Sequence, residues 1–288
     1  MSEGKQLKHL IFSLLIFACT ALSHVNAQSV NNKLLLDVSI KTFTANLPDD
    51  IQLQQAQGIY PAVRQAESRY LPSYLKLILE ESNLWGAVRL LPDGDTGAEL
   101  QISATINSSD GSQLELAVLA TDATGRIWAD KIYTGSAVDS VSLNQPLLGT
   151  DPFLYLYLNI SNDLTAMAAT LSAAQISEIK TVAMLQYAAS LAPEVFSPYL
   201  SRDDFGLYSL ARLPADNDPF LLRVQEIREH EYVFIDVVDE QYENFFVAIK
   251  PVYDLWRRYR REQQASEIDK INREAQQGND LRQGSYMS

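Results

Sequence analysis

The spacing of hydrophobic and polar residues changes about halfway along the chain. The first half alternates. In KLLLDVSIKTF (residues 33–43), Leu36, Val38 and Ile40 alternate with Asp37, Ser39 and Lys41, the two-residue period of a strand with one buried face. ANLPDD, with Pro48 and paired aspartates, reads as a turn. From Tyr60 to Ser82 the spacing lengthens: Val63, Ala66, Tyr70, Tyr74, Leu77 and Ile78 recur at threes and fours, which predicts a helix. Pro72 lies inside it and predicts a kink or two abutting helices. GAVRLLP (residues 86–92) predicts a strand closed by the turn PDGDTG. Leu100, Ile102, Ala104 and Ile106, then Leu114, Leu116, Val118 and Ala120, alternate on either side of Ser109-Asp110-Gly111. Asp122-Ala123-Thr124-Gly125 makes a second turn. After it Ile127, Ala129 and Lys131 are expected on one face, and Trp128, Asp130 and Ile132 on the other. Such closely spaced turns predict antiparallel hairpins. Strand, helix, strand and a three-stranded meander make an α+β layer with the helix over one sheet face.

The second half reads as mostly helical. Asp151-Pro152 has the form of an N-cap followed by proline at N1. Ser172 and Gln175 have capping-box spacing and open a helix through Ile176, Ile179, Val182 and Ala183 that ends before Pro193. FGLYSLARLP (residues 205–214) contains a short strand between helices. Asp218-Pro219 caps a long helix whose apolar residues surround much of its circumference, so it is expected to be central and packed on more than one side. Pro251 is expected to break or bend it. Beyond, Leu255, Tyr259, Ile268, Ile271 and Ala275 form a stripe too narrow for a globular helix, so this part projects into solvent or pairs with another helix. The resulting organisation is an α+β module over residues 33–135, a helical region over residues 150–283, and a frayed tail at 284–288.

The segments LLLDVSIKTF, YLPSYLKLILEESNLWGAVRLLP and LAVLATDATGRIWADK, with Asp122, Gly125 and Trp128 in an Asp-x-x-Gly turn followed by Trp, resemble a module of bacterial envelope proteins. Its members include the curli secretion-channel lipoprotein, the lipoprotein activators of penicillin-binding proteins and the amino-terminal domain of the Tol-system propeller protein. The opening strand departs from the family in lacking its usual Pro-Phe pair. The resemblance covers residues 33–135 and rests on turn and core positions. It implies an adaptor that binds envelope partners rather than an enzyme.

The amino-terminal end points to the same compartment. Lys5 and Lys8 precede an uncharged apolar run from Leu10 to Leu22, the form of a secretory leader too short to span a bilayer. Val25-Asn26-Ala27 places compact residues where signal peptidase needs them, giving cleavage between Ala27 and Gln28 and a periplasmic protein. The alternative is Ile16-Phe17-Ala18-Cys19, similar to a lipobox, which would lipidate Cys19 and anchor the protein to the outer membrane facing the periplasm. Phe17 stands where smaller residues are usual, which favours release. The membrane is a partner only if Cys19 is lipidated. Cys19 is the single cysteine, so either outcome leaves the fold without disulfides or a free thiol. A formal charge of −13 disfavours nucleic acid, which is bound by neutralising phosphate.

Candidate chemistry is sparse. His9 and His24 leave with the leader, so His230 is the one histidine remaining, which rules out multi-histidine metal sites. Its neighbour one turn earlier, Glu226, predicts a surface pair rather than catalysis. No nucleophile elbow, phosphate loop or dinucleotide fingerprint occurs, and no catalytic, cofactor-binding or metal-binding residue is assigned. Asp93, Asp95 and Glu99 lack EF-hand spacing and read as a turn. Asp236, Asp239, Glu240 and Glu243 share one helix side and read as a solvated face. Buried together, they would instead suggest a carboxylate-dependent hydrolase acting on envelope glycan. Aromatics crowd the segment from Tyr232 to Tyr259. There Trp256, Arg257, Arg258 and Tyr259 have the make-up of an interface. The expectation is therefore a non-enzymatic binding or assembly factor of the cell envelope, with envelope proteins as partners and homo-oligomerisation through the C-terminal helix.

Overall fold

The computed structural model describes residues 35–137 and 151–285, with side chains described as far as residue 277. The leader, the cleavage site Ala27–Gln28 and the alternative lipidation site Cys19 lie outside the described residues.

The fold is α+β: a five-stranded mixed sheet followed by helices, the last of them very long. Strands β1 (Val38–Lys41), β2 (Val88–Leu91), β3 (Leu100–Ser109), β4 (Gln113–Asp122) and β5 (Ile127–Ser136) lie in the order β2-β1-β3-β4-β5. β1 runs parallel to both of its neighbours, and β3, β4 and β5 are antiparallel. Two helices separate β1 from β2: the short α1 (Ile51–Ala56) and the 22-residue α2 (Pro61–Ser82). Residues of β1, β3 and β4 that alternation places inward are buried, among them Ile40, Ile102, Ile106, Leu116 and Ala120. They pack beneath Leu71, Leu75 and Leu79 of α2 in one continuous core.

Two sequence expectations in this layer need correction in part or in full. Of the kink or two abutting helices expected at Pro72, the division does not occur: α2 runs through it as a single helix. Proline removes the donor that would have satisfied the carbonyl four residues earlier. That carbonyl, Ser68 O, instead accepts the backbone N–H of Phe43 at 2.8 Å, so the gap in the helix ladder becomes a tie to the end of β1. In β5 strict alternation fails. Ala120 pairs with Ala129 and Thr121 with Ile127, which leaves Trp128 as an extra residue. This bulge puts Trp128 and Ala129, adjacent in sequence, both inside, and leaves Ile127 and Ile132 exposed. The Asp122–Gly125 turn explains why the bulge holds. Gly125 has φ +84°, and the buried Asp122 carboxylate accepts from Thr124 N (2.8 Å) and Trp128 Nε1 (2.8 Å).

The second half contributes α3 (Leu154–Ala168), α4 (Ala173–Leu191), α5 (Pro193–Phe196), a small antiparallel pair β6 (Leu200–Arg202) and β7 (Tyr208–Leu210), and α6 (Pro219–Ser285). The capping box of Ser172 and Gln175 is present, and Asp218 Oδ1 accepts from Phe220 N at 2.9 Å. Asp151 does not cap α3, which begins three residues later. Its Oδ1 holds Phe153 N–H (2.9 Å) in a preceding turn, and its other oxygen turns inward to Arg257. Pro251 does not break α6 either. It is exposed, as is Val247, whose carbonyl loses its donor, so the gap faces the solvent side of the helix.

Candidate functional site

The helix α6 is 67 residues long, about 100 Å at 1.5 Å per residue. Its inner face crosses the body of the molecule along α2, the edge strand β2 and the tip of the β3–β4 hairpin. Burial recurs at Val224, Arg228, Ile235, Tyr253 and Arg257, with Asp239, Tyr242 and Phe246 half-buried between them. This is one stripe at helical spacing. The expectation that α6 is packed on several sides is therefore wrong: one face is docked and the opposite face is open.

The docked face is held by ion pairs spaced along its length. Arg228 pairs with Asp95 of the β2–β3 loop and with Glu231 (2.9 Å), and its guanidinium lies between the rings of Tyr187 and Tyr232, 4.5 Å from each. Asp236 accepts from Arg89 of β2 at 2.7 Å. Asp239 takes Lys76 of α2 (2.5 Å) on one oxygen and the Leu90 N–H (2.7 Å) on the other. That second bond satisfies a donor on an edge strand, where an open row of backbone groups would otherwise invite pairing. Glu243 also reaches Lys76, at 2.5 Å. Burial alone would lower the Lys76 pKa, but hydrogen bonds to Asp239 and Glu243 outweigh it and raise the value.

Further along, the interactions are more deeply buried. Glu67 accepts from Ser109 Oγ (2.6 Å), Tyr253 Oη (2.7 Å) and Arg64 Nε (3.1 Å). Burial nevertheless holds its pKa above the usual carboxylate range. Arg257 is 1% exposed; it pairs with Asp151 (2.9 Å) and Asp254 (2.5 Å) and lies over the Tyr253 ring at 4.5 Å. Arg261 then donates to Gly111 O (3.1 Å), and Ser112 Oγ donates to Gln264 (2.5 Å), clamping the hairpin tip. At Gly111 (φ +90°) a Cβ would stand 3.1 Å from the Arg257 carbonyl oxygen, so this approach needs glycine.

The four residues expected at an interface are thus separated. Arg257 is internal, and Trp256 is half-buried, stacked on Tyr253 (5.7 Å) and edge-on to Tyr60 (6.2 Å). Arg258 and Tyr259 are exposed. Of the acidic row, Asp236, Asp239 and Glu243 form the seam, and Glu240 is exposed with no ion pair among the described residues. In the expected turn, Asp95 is taken by Arg228, while Glu99 accepts from Lys180 and from Asp37 N (2.7 Å each). His230 and Glu226 are both exposed and form no ion pair with each other. Among the described residues no group of three or more His, Cys, Asp or Glu side chains could hold a metal ion. No described helix is long and apolar enough to cross a membrane.

The open face of α6 carries the feature that periodicity alone did not separate from core. Val233, Phe234, Val237, Val247, Val252, Leu255 and Tyr259 are between 53% and 72% exposed. They lie on the side opposite the seam, interrupted by Gln241, Asn244 and Ala248. Past Gln264 the helix leaves the body. There Ile268 and Ile271, continuing the phase of Tyr253 and Arg257, are 58% and 59% exposed. Comparison with protein families, curated proteins and solved structures finds no significant match to this chain.

Proposed function

We propose that this protein is a non-enzymatic binding or assembly factor of the bacterial cell envelope, and that α6 is its binding element. The observation that carries the reading is the open face of α6: seven large apolar side chains, each more than half exposed, on one side of one rigid helix. Large apolar side chains held in solvent along one helix face, in two groups separated by Gln241 and Asn244, are the mark of an interaction site. The leader-like amino terminus and the resemblance of residues 33–135 to an envelope adaptor module support the compartment. The carboxylates a hydrolase would need gain no support from the geometry, because three of the four in the row are committed to Lys76 and Arg89.

A photo-crosslinking residue placed at Val237 or at Val252 in intact cells tests the binding element. Crosslinked protein is expected from both positions and not from Thr105, on the open face of the sheet. Equal yields from all three would refute the reading. The intact mass of the purified protein tests the compartment: a chain beginning at Gln28, or an acylated Cys19, is expected, and an unprocessed Met1 refutes export.

A further inference from the structure

We infer that the open face of α6 joins two copies of this chain, with their long helices antiparallel. The inference rests on the reading that this face is a binding face, and names its occupant.

Three observations lead to a second copy in that orientation. The first is area. The exposed portions of the seven apolar side chains amount to on the order of 800 Å², the share one partner contributes to an interface of standard size. The second is charge. Among the charges with no ion pair among the described residues, residues 219–247 keep the exposed carboxylates Glu226, Glu229 and Glu240 against Arg223, whereas residues 248–261 keep the exposed Arg258 with the partly buried Arg260 and Arg261 and no carboxylate. A parallel pair would set acidic half on acidic half and basic on basic. An antiparallel pair sets each half against its opposite, and closes as a twofold interface in which every contact occurs twice. The third is the symmetry of the stripe itself. Val237 and Tyr259 lie equally far from Ala248 on its two sides, and Glu240 and Arg258 almost so. With the twofold near Ala248, Val237 of one copy packs beside Tyr259 of the second, and Glu240 faces Arg258. Glu240 and Arg258 are both exposed, and neither has an ion pair among the described residues. The small Ala248 at the centre suits helix axes 8–10 Å apart. The body of each copy lies on the far side of its helix, so it does not obstruct the approach.

The test uses the full chain with Cys19→Ser, which removes the one native thiol. Sedimentation equilibrium at micromolar concentration is expected to give twice the chain mass. Ala248→Cys is expected to crosslink to itself with a short bis-maleimide. Val237→Cys and Tyr259→Cys are each expected to fail alone and to crosslink when mixed. Glu240→Arg and Arg258→Glu are each expected to weaken the dimer about tenfold, with the double exchange restoring it. Both substitutions are on the surface, and circular dichroism checks that the fold is kept. Self-crosslinking of Val237→Cys or Tyr259→Cys would show a parallel pair and overturn the inference, as would a monomer. A monomer whose Val237 probe captures a different protein would overturn only the second copy. A monomer that captures nothing would remove the binding face as well.

Discussion

Arg257 gives the sharpest test of how α6 is held. Arg257→Met removes the guanidinium but leaves an unbranched apolar side chain over Tyr253. Asp151, 2% exposed, would then keep its bond from Phe153 N–H but face no cation, while Asp254 retains Lys250 at 2.8 Å. Removing one partner of a buried pair costs about 3–5 kcal/mol, mostly the penalty of the stranded charge. At a urea m-value of about 2–3 kcal/mol/M, the unfolding midpoint should fall by roughly 1.5 M. Adding Asp151→Asn keeps an oxygen to accept from Phe153 and removes the charge. The double variant is therefore expected to recover at least about 2 kcal/mol relative to the sum of the two single losses. Equilibrium denaturation of the four proteins, followed by tryptophan fluorescence, measures the cycle. A loss below about 1 kcal/mol for Arg257→Met, or strict additivity in the double variant, would refute a buried pair that locks the helix.

Three further changes probe separate parts of the structure. Lys76→Met leaves Glu80, Asp239 and Glu243 facing one another without their cation; burial already raises the Glu80 pKa against the pull of Lys76, so this change raises it further. A carboxylate with a raised folded-state pKa makes the folded state bind more protons than the unfolded one. Thermal scans should therefore show the Lys76→Met variant losing stability, relative to the parent, as pH rises above about 4.3; a pH-independent difference would contradict this. Pro72→Ala should change stability by less than about 1 kcal/mol, not gain the roughly 3 kcal/mol that relieving an interior helix proline would give, because Phe43 N–H already satisfies Ser68 O; calorimetry decides. Tyr157→Phe should raise stability by about 1 kcal/mol, since the Tyr157 hydroxyl is buried without a hydrogen-bond partner among the described residues, and a loss of similar size in urea titration would disprove that.

The elements that the pattern of residues made legible are those whose cause is local. Alternation located β1, β3 and β4, the capping box located the start of α4, and Asp218 located the start of α6, because each depends on residues within a few positions of one another. The expectations that failed depend on distant partners. Pro72 reads as a point where the helix could divide until Phe43 is brought to Ser68. The β5 bulge is the exception, a local device in which Asp122 reaches the Trp128 indole six positions on and strict alternation is interrupted. Asp151 has the spacing of an N-cap, but Arg257, more than a hundred positions away, draws one of its oxygens into the core. The acidic row has no local signature that distinguishes its roles. Four carboxylates on one helix side look the same whether they face water, a substrate or a row of cations. Only the sheet order, which makes β2 the edge strand beside α6, places Arg89 and the Leu90 N–H against them. An excess of acid in the helix answered by bases elsewhere in the chain was the available signal, and it does not say which bases.

If α6 binds a partner as proposed, its two faces divide the physical work. Apolar contact is strong but non-directional, so a helix held to its body by hydrophobic packing alone could slide or rotate by a turn. The seam prevents this: Asp95, Arg89, Lys76, Glu67 and Asp151 each meet a different position of α6, and a shift of one turn would break all of these pairings together. With register and rotation fixed by charge and hydrogen bonds on the inner side, the outer apolar residues are presented in one arrangement before any partner arrives. The cost of ordering a long helix is then met in folding rather than in binding, which leaves more of the buried apolar area to appear as affinity. The docked face thus combines apolar packing through Tyr253 and Phe246 with a line of charge pairs, while the open face keeps large apolar side chains in solvent. On the proposed function the first supplies specificity toward the body and the second adhesion toward a partner.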